Sequence, residues 1–224
     1  MALHPDVSPM KSLSLWLAAL SAALTPLLSP AASLQFKVTD REGQPVPDAV
    51  LEVQIPSAAV PRVPAPGQVT INQSKMKFVP RVTVVQPGTR VVFTNQDRWD
   101  HHVRGTLAGL AQMLDAVGFQ FRLAGWADNK PMASSEVVFD KPGVTLLGCF
   151  LHSSMRGYVV VAETPWVAVT GADGVAVLDD LPSGAATVKL WQADEVAELA
   201  PVPVVLGPQP VVLSRQLSVV ARRR

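Results

Sequence analysis

One cysteine, one tyrosine and little charge distinguish this 224-residue sequence. A single cysteine excludes an intrachain disulfide, so the fold depends on a buried apolar core. Nineteen basic and eighteen acidic residues give a net charge of +1, which removes the electrostatic basis for binding nucleic acid or an acidic membrane surface. Twenty prolines and the scarcity of long helical periods predict an all-β protein.

The N-terminal segment differs in composition from the rest of the chain. Lys11 precedes an apolar run that ends in small residues, which is typical of a secretory signal peptide over residues 1–33. A retained membrane anchor is the alternative, and no later stretch is long enough to span a bilayer. We therefore expect a periplasmic or otherwise exported protein. In an oxidising compartment, the lone Cys149 has to be buried, bound to a ligand or paired with another chain.

The rest of the chain alternates apolar and polar residues in short runs between Gly- and Pro-containing turns. This pattern is typical of antiparallel strands packed on one face. Three such runs are predicted in residues 68–95, and further strands on both sides of the cysteine. Pro203 restricts the run over 202–206 to a sheet edge, because proline cannot donate a ladder hydrogen bond. The segment 107–117 fits either a short helix or a long loop.

Two segments that are far apart in sequence look like halves of one domain. Residues 38–53 read VTDREGQPVPDAVLEV, and residues 169–184 read VTGADGVAVLDDLPSG. Both resemble parts of carboxypeptidase-regulatory and transthyretin-like β-sandwiches. Each half alone has too few strands to bury a core. We therefore predict an outer sandwich made of residues 34–60 and 165–221, interrupted by a central domain. The alternative is that each half belongs to its neighbours in sequence.

Residues that bind transition metals are concentrated in two short segments of the central domain, DRWDHHVRG and GCFLHSSM. The candidates are His101, His102, Cys149, His152 and Met155. Thiolate and thioether favour Cu(I) and imidazole also suits Cu(II), so the set fits copper in both oxidation states. A Cys-x2-His-x2-Met turn between two strands supplies three ligands from one loop. The upstream segment is placed to supply a fourth.

Residues 68–164 resemble a cupredoxin, a small blue-copper protein, on these motifs and on the pattern F-x-P-x4-V-x2-G-x2-V-x-F-x-N over 78–95. The short ligand loop is similar to that of plastocyanin-like and amicyanin-like members, of the kind labelled methylamine-utilisation proteins. The resemblance implies a Greek-key β-sandwich and one type 1 copper ion per chain. It implies the ligands His101, Cys149, His152 and Met155.

Two adjacent histidines are candidates for the first ligand of this set. His102 replaces a family asparagine that ties the two ligand loops together, which leaves both histidines as candidates. Adjacent residues on a strand face opposite sides, so only one of the two is expected to bind. The family pattern favours His101.

The function implied by the resemblance is that of an electron carrier between a redox donor and a redox acceptor, with no bond made or broken. Phe150 and Leu151 beside His152 would form the apolar patch through which electrons pass. Asp97, Arg98 and Asp100 in the upstream segment are expected by default to be solvated loop charges, and tuning of the partner surface is the alternative. Four histidines are too few for the trinuclear site of a multicopper oxidase.

Other interpretations of the same residues stay open at this point. Zinc accepts two histidines and a cysteine, so a copper or zinc chaperone or sensor is one alternative. A non-redox exported β-sandwich that binds another molecule is a second. A Cys–His nucleophile pair is a third, but the sequence shows no third group to orient the histidine. Taken alone, Cys149 is better explained as a small buried apolar residue.

Overall fold

The structure, a computed structural model, describes residues 31–59, 67–108, 117–195 and 197–220. Residues 1–30 of the predicted signal peptide and most of the segment 107–117 lie outside the described residues, whereas Ala32 and Ser33, at the end of the predicted peptide, belong to the first strand. The described residues form strands and turns without a helix, which confirms the prediction of an all-β protein. Accordingly, this part of the chain holds no helix of the length and hydrophobicity that a membrane span requires.

The described residues form sixteen strands in four sheets. In chain order the strands are β1 Ala32–Thr39, β2 Val50–Gln54, β3 Gln68–Ser74, β4 Lys77–Val79, β5 Val82–Val85, β6 Thr89–Asn95, β7 His101–Leu107, β8 Val117–Leu123, β9 Ser134–Phe139, β10 Gly143–Cys149, β11 Arg156–Val161, β12 Val167–Val169, β13 Val175–Leu181, β14 Gly184–Trp191, β15 Val202–Leu206 and β16 Val211–Gln216. The strand orders are β13-β1-β16, β12-β2-β14-β15, β5-β11-β10-β7-β8 and β4-β3-β6-β9.

The first two of these sheets share one apolar core. In β1, alternate residues are buried because successive side chains on a strand face opposite sides. Phe36 from β1, Leu51 from β2 and Leu181 from β13 belong to the same buried cluster, together with Trp166. The core therefore combines strands that precede and strands that follow the two candidate metal-binding segments in sequence. Pro203 lies in β15, the last strand of its sheet, which confirms its predicted edge position.

The other two sheets, built from β3 to β11, enclose a second core. Buried residues from both sheets pack together, among them Ile71, Phe93, Val103 and Leu147. β7 and β10 are antiparallel neighbours in the middle of the five-stranded sheet. This pairing matters for function, because β7 begins at His101 and β10 ends at Cys149. The two candidate metal-binding segments are thereby brought to the same end of one sheet.

A small junction joins the two cores. Val50 of β2 packs with Val82 and Val160 in a third buried cluster. At its edge, the Tyr158 and Trp191 rings meet edge to face with centroids 5.1 Å apart. The outer face of the five-stranded sheet is thus partly covered by the strands that flank the central segment in sequence.

Gly105 in β7 offers a test of the central core. It lies opposite Phe119 of β8, and a Cβ at Gly105 would overlap the Phe119 ring. That ring also packs against Phe93 and Phe139 and has little freedom to move. We expect Gly105→Ala to lower the free energy of unfolding in urea by about 1–3 kcal/mol, the usual cost of overpacking.

Gly148 in the neighbouring strand β10 provides the matched control for this substitution. A Cβ at Gly148 meets nothing within 4 Å. Gly148→Ala should therefore change the free energy of unfolding by no more than about 0.5 kcal/mol. Equal effects of the two substitutions would contradict the packing of Phe119 against Gly105.

Candidate metal centre

Three side chains from the two motif segments converge at the end of the central sandwich. His101 is fully buried at the start of β7, and Cys149 is 7% exposed at the end of β10. His152 lies half-buried in the turn between β10 and β11. The structure thus brings together residues from two parts of the chain that are about fifty positions apart, because β7 and β10 pair side by side.

The donor atoms of these three residues face one another. Cys149 Sγ lies 3.7 Å from His101 Nδ1 and 3.5 Å from His152 Nδ1. The two Nδ1 atoms are 3.2 Å apart. Ligands held about 2.0–2.3 Å from one ion, at angles between tetrahedral and trigonal, lie roughly 3.3–3.7 Å from one another. The three donors therefore fit a single transition-metal ion.

Met155 closes the short turn that holds two of these donors. Its N–H group donates to the carbonyl oxygen of His152 at 3.0 Å. The side chain is 1% exposed and belongs to the same buried cluster as Cys149. The Met155 side chain is thus on the inner side of the turn, in the cluster that also contains Cys149. One short turn carries a thiol, an imidazole and a thioether.

His102 lies outside this group of donors. Its ring packs edge-on against the Phe150 ring, with centroids 4.9 Å apart. Its backbone holds the two segments together, because the N–H group donates to Cys149 Sγ at 3.4 Å and the carbonyl accepts the Phe150 N–H at 3.0 Å. The connection that a family asparagine was expected to provide is made here by the backbone of His102.

Asp97 is the residue of this site whose role the sequence did not reveal. It was expected to be a solvated loop charge, and this prediction is wrong, because Asp97 is only 7% exposed. Its Oδ2 atom accepts a hydrogen bond from His101 Nε2 at 2.9 Å. Because Nε2 carries the proton, the lone pair of His101 Nδ1 points into the space between the three donor atoms, where a metal ion would bind. The only sequence signal was the position of a carboxylate four residues before a candidate ligand.

Backbone groups hold the Asp97 carboxylate in place. Oδ1 accepts the N–H of Lys75 at 2.6 Å, and Oδ2 accepts the N–H of Met76 at 3.0 Å. Burial by itself raises the pKa of Asp97, but the hydrogen bonds from Met76, His101 and Lys75 outweigh burial and keep the pKa below its usual value. Asp97 is consequently a fixed negative charge behind His101.

Asn95 also fixes the loop between β6 and β7 that contains Asp97. It is fully buried, and its side-chain oxygen accepts the N–H of Asp97 at 2.9 Å. Its side-chain amide donates to the carbonyl oxygens of Trp99, Leu123 and Ala124. One buried amide thereby joins the ligand loop to the segment after β8. These contacts limit the movement of His101.

The surface beside His152, at the end of the sandwich that holds the three donors, is apolar. Phe150 is 54% exposed and Leu151 is 53% exposed, which is unusual for side chains of this size. Trp99, in the loop before His101, is 45% exposed. The half-buried imidazole of His152 is therefore the only one of the three donor side chains with substantial access to the surface.

Comparisons with known proteins find similarity in structure alone. A scan against family models and a search of curated proteins both return no match. Among solved structures, amicyanin from Paracoccus versutus is 20% identical, with 49% of this chain and 97% of that chain covered and a TM-score of 0.35. A purple cupredoxin from Nitrosopumilus maritimus is 22% identical, with 43% and 99% covered and a TM-score of 0.31. Auracyanin A from Chloroflexus aurantiacus is 16% identical, with 43% and 98% covered and a TM-score of 0.34.

Proposed function

We propose that this chain is an exported mononuclear type 1 copper protein that carries one electron at a time between two redox proteins. The proposal rests on the convergence of Cys149 Sγ with the Nδ1 atoms of His101 and His152, at separations of 3.2–3.7 Å. When bound there, copper would supply the reversible exchange of one electron between its two oxidation states.

Each residue of the site has a distinct role in this proposal. Cys149 would provide the thiolate, His101 and His152 the two imidazoles, and Met155 a weaker thioether ligand. The buried position of His101 and Cys149 keeps water away and restricts their movement. A site whose ligands move little between oxidation states exchanges electrons at low reorganisation cost. The hydrogen bonds around Asp97 and His102 serve this rigidity.

The apolar surface is the proposed contact for redox partners. Phe150 and Leu151 are exposed next to His152, whose imidazole reaches from the buried donors towards the surface. Large exposed apolar side chains favour brief docking by excluding water from a small contact. A partner seated there would approach the site through His152. We propose that the protein is an electron carrier and not an enzyme, because transfer between donor and acceptor requires no other reactant.

The organisation of the chain is part of the same proposal. We propose that residues 68–164 form a cupredoxin domain inserted into a transthyretin-like sandwich formed by residues 34–60 and 165–221. The shared core of β1, β2 and β12–β16 supports it. The outer sandwich would stabilise the central domain or dock partners. Residues 1–33 are proposed to direct export and to be removed.

Zinc binding is the second candidate function, because the observed donor separations also suit zinc. A zinc-binding or copper-delivering protein would use the same Cys149, His101 and His152. The buried thioether of Met155 favours copper over zinc, since thioether sulfur is a soft ligand.

A Cys–His nucleophile is less compatible with the geometry, although Asp97 supplies the orienting group that the sequence seemed to lack. Cys149, His101 and Asp97 do form a continuous series of contacts. However, His101 has no exposed surface through which to protonate a leaving group. General acid–base catalysis requires the base to lie within hydrogen-bond reach of the substrate, and a fully buried imidazole does not.

The decisive experiment is metal loading of the purified chain without residues 1–30, so that β1 stays whole. We expect Cu(II) to bind one ion per chain and to give an intense visible absorption band from thiolate-to-copper charge transfer. Voltammetry should then show a reversible one-electron couple. The Zn(II)-loaded protein is the matched control and should be colourless and redox-silent. Copper-loaded protein without the band or the couple would refute the carrier function and favour the zinc-binding or non-redox candidate.

Asp97→Asn tests the carboxylate behind His101. The amide removes the negative charge and places an NH2 group against N–H donors, so His101 loses its orientation. We expect metal affinity to fall about 10–100-fold, as is typical when a ligand loses its hydrogen-bonded partner. We expect the reduction potential to rise, because the lost charge favoured the more positive, oxidised state.

Asp100→Asn is the matched control for this prediction. The Asp100 carboxylate accepts hydrogen bonds from the Gly125 N–H and from Arg122 at the surface, and these bonds lower its pKa. It has no hydrogen bond to a donor residue of the site among the described contacts. Its charge acts on His101 only through space, so its substitution should raise the potential less than Asp97→Asn does. Similar shifts in the two variants would show that Asp97 acts only as a general surface charge.

A further inference from the structure

Among the described residues, β16 is the one strand at a sheet end that has none of the usual protection against pairing with another chain. Four of the eight end strands are short or interrupted: β4 and β12 have three residues, β5 has four, and β15 contains Pro203. Three others expose a charged side chain, namely Arg122 in β8, Glu136 in β9 and Asp179 in β13. Natural proteins use these devices to keep sheet edges from associating.

β16 is six residues long, contains no proline and exposes the side chains of Val212, Ser214 and Gln216. None of the three is charged, and Val212 is 67% exposed. The one charged residue of the strand, Arg215, is partly buried on the opposite face. Length, β-branched residues and an uncharged exposed face are the features of an edge that accepts a further strand.

The backbone groups on the free edge of β16 follow from its pairing with β1. The two strands are parallel and stay in one register from end to end. Leu217 donates its N–H to the Thr39 carbonyl at 2.7 Å, and successive residues of a strand direct their N–H and C=O groups to alternate edges. Odd-numbered residues therefore bond to β1, whereas Val212, Ser214 and Gln216 present these groups to the free edge. No described strand pairs with that edge.

We propose that this edge pairs antiparallel with the same edge of a second copy of the chain. A two-fold axis at Ser214 joins the two sheets into one sheet of order β13-β1-β16-β16-β1-β13. Ser214 then lies opposite Ser214 of the other copy, and Val212 lies opposite Gln216 on both sides of the axis. Each of these outward-facing pairs exchanges two hydrogen bonds between N–H and C=O groups. Such a dimer uses one surface twice and needs no further component.

Charge and hydrogen-bonding capacity select this register for a second copy. With the axis at Ser214, the two Arg215 side chains lie apart, each opposite an apolar residue, so no like charges face each other. An axis one residue earlier places Pro210, which has no N–H, in an outward-facing pair. An axis one residue later places Arg215 opposite its own copy and needs the Ser218 N–H, which already donates to Glu195 at 3.0 Å. The edge is therefore complementary to itself when the axis passes through Ser214.

The proposed dimer is independent of copper. β16 belongs to the outer sandwich and shares no sheet with His101 or Cys149. Loss of metal binding therefore leaves the dimer unaffected, and a monomeric chain leaves the electron-carrier proposal unaffected.

Sedimentation velocity over a series of concentrations tests the pairing. The sample is the metal-free chain without residues 1–30, with a reductant present so that Cys149 cannot form a disulfide between copies. We expect a reversible equilibrium between monomer and dimer, in which the dimer fraction rises with concentration. A two-fold pairing closes at two copies. A chain that stays monomeric at every concentration, or that forms larger open-ended assemblies, overturns the proposal.

Three substitutions of Ser214 act on the pairing in different ways. Ser214→Lys and Ser214→Glu each place identical charges opposite each other at the axis, so either variant alone should dimerise about fivefold more weakly. An equal mixture of the two places an ammonium group opposite a carboxylate and should restore wild-type affinity, which a folding defect would not do. Ser214→Pro removes the N–H that faces away from β1, and it should weaken dimerisation about tenfold or more.

The matched control variant is Gln35→Lys. Gln35 lies on the exposed face of β1, directly opposite Val212, but in the middle of the sheet. Dimerisation should be unchanged in this variant. An equal loss in Gln35→Lys would show that the sheet face, and not the edge, associates. Wild-type affinity in the Ser214 variants, or a mixture that stays as weak as its components, with folding confirmed by circular dichroism, would refute the pairing.

Discussion

Cys149→Ser protein loaded with Cu(II) is expected to lose the intense visible band completely. The band requires a thiolate sulfur bound to copper, and the sequence contains no second cysteine to replace it. The serine hydroxyl stays protonated at neutral pH and is a poor ligand for Cu(I). Absorption spectroscopy of protein with measured copper content checks the result.

Phe150→Ser is the matched control for the cysteine variant. It introduces the same side chain one position later, on a residue that is 54% exposed and outside the donor group. This variant should keep the band at unchanged intensity. If Cys149→Ser keeps the colour while binding copper, the thiolate is not a ligand and the proposed type 1 centre is wrong.

His101→Ala and His102→Ala are expected to differ strongly, although the residues are adjacent. His101→Ala removes one of the three facing donors, so copper affinity should fall by more than the 10–100-fold typical of a supporting residue. His102→Ala removes only a ring packed against Phe150, while the backbone bonds to Cys149 and Phe150 remain. Its affinity should stay within about threefold of wild type. Competition against a chelator of known affinity measures both variants.

The folding of the two variants has to be compared in the same experiment. His101→Ala leaves the buried Asp97 carboxylate without its imidazole partner, which costs stability by itself. Circular dichroism and urea unfolding separate that loss from the loss of metal binding. A larger affinity loss in His102→Ala than in His101→Ala would reverse the assignment of the first ligand.

Local patterns predicted much of this protein. Strand alternation and turn residues indicated the all-β fold, because burial of one sheet face imposes a period of two. The position of Pro203 at a sheet edge followed from its missing N–H group. The spacing of Cys149, His152 and Met155 marked the candidate loop, since a single turn places three side chains close together without help from distant strands.

Non-local contacts explain what the sequence alone missed. The role of Asp97 depends on the N–H groups of Lys75 and Met76, which a different hairpin brings to its carboxylate. A charged residue in a loop is usually solvated, so nothing local indicated its burial.

Residue type and short spacing were enough to predict the fold class, the types of candidate metal donor and the loop that carries most of them. Strand pairing in the tertiary structure places His101, and not the adjacent His102, against Cys149, and it brings the Asp97 carboxylate to the far side of the His101 ring. Each of these depends on which face of a strand lies against which neighbour. That relation arises only when β7, β10 and β11 pair side by side.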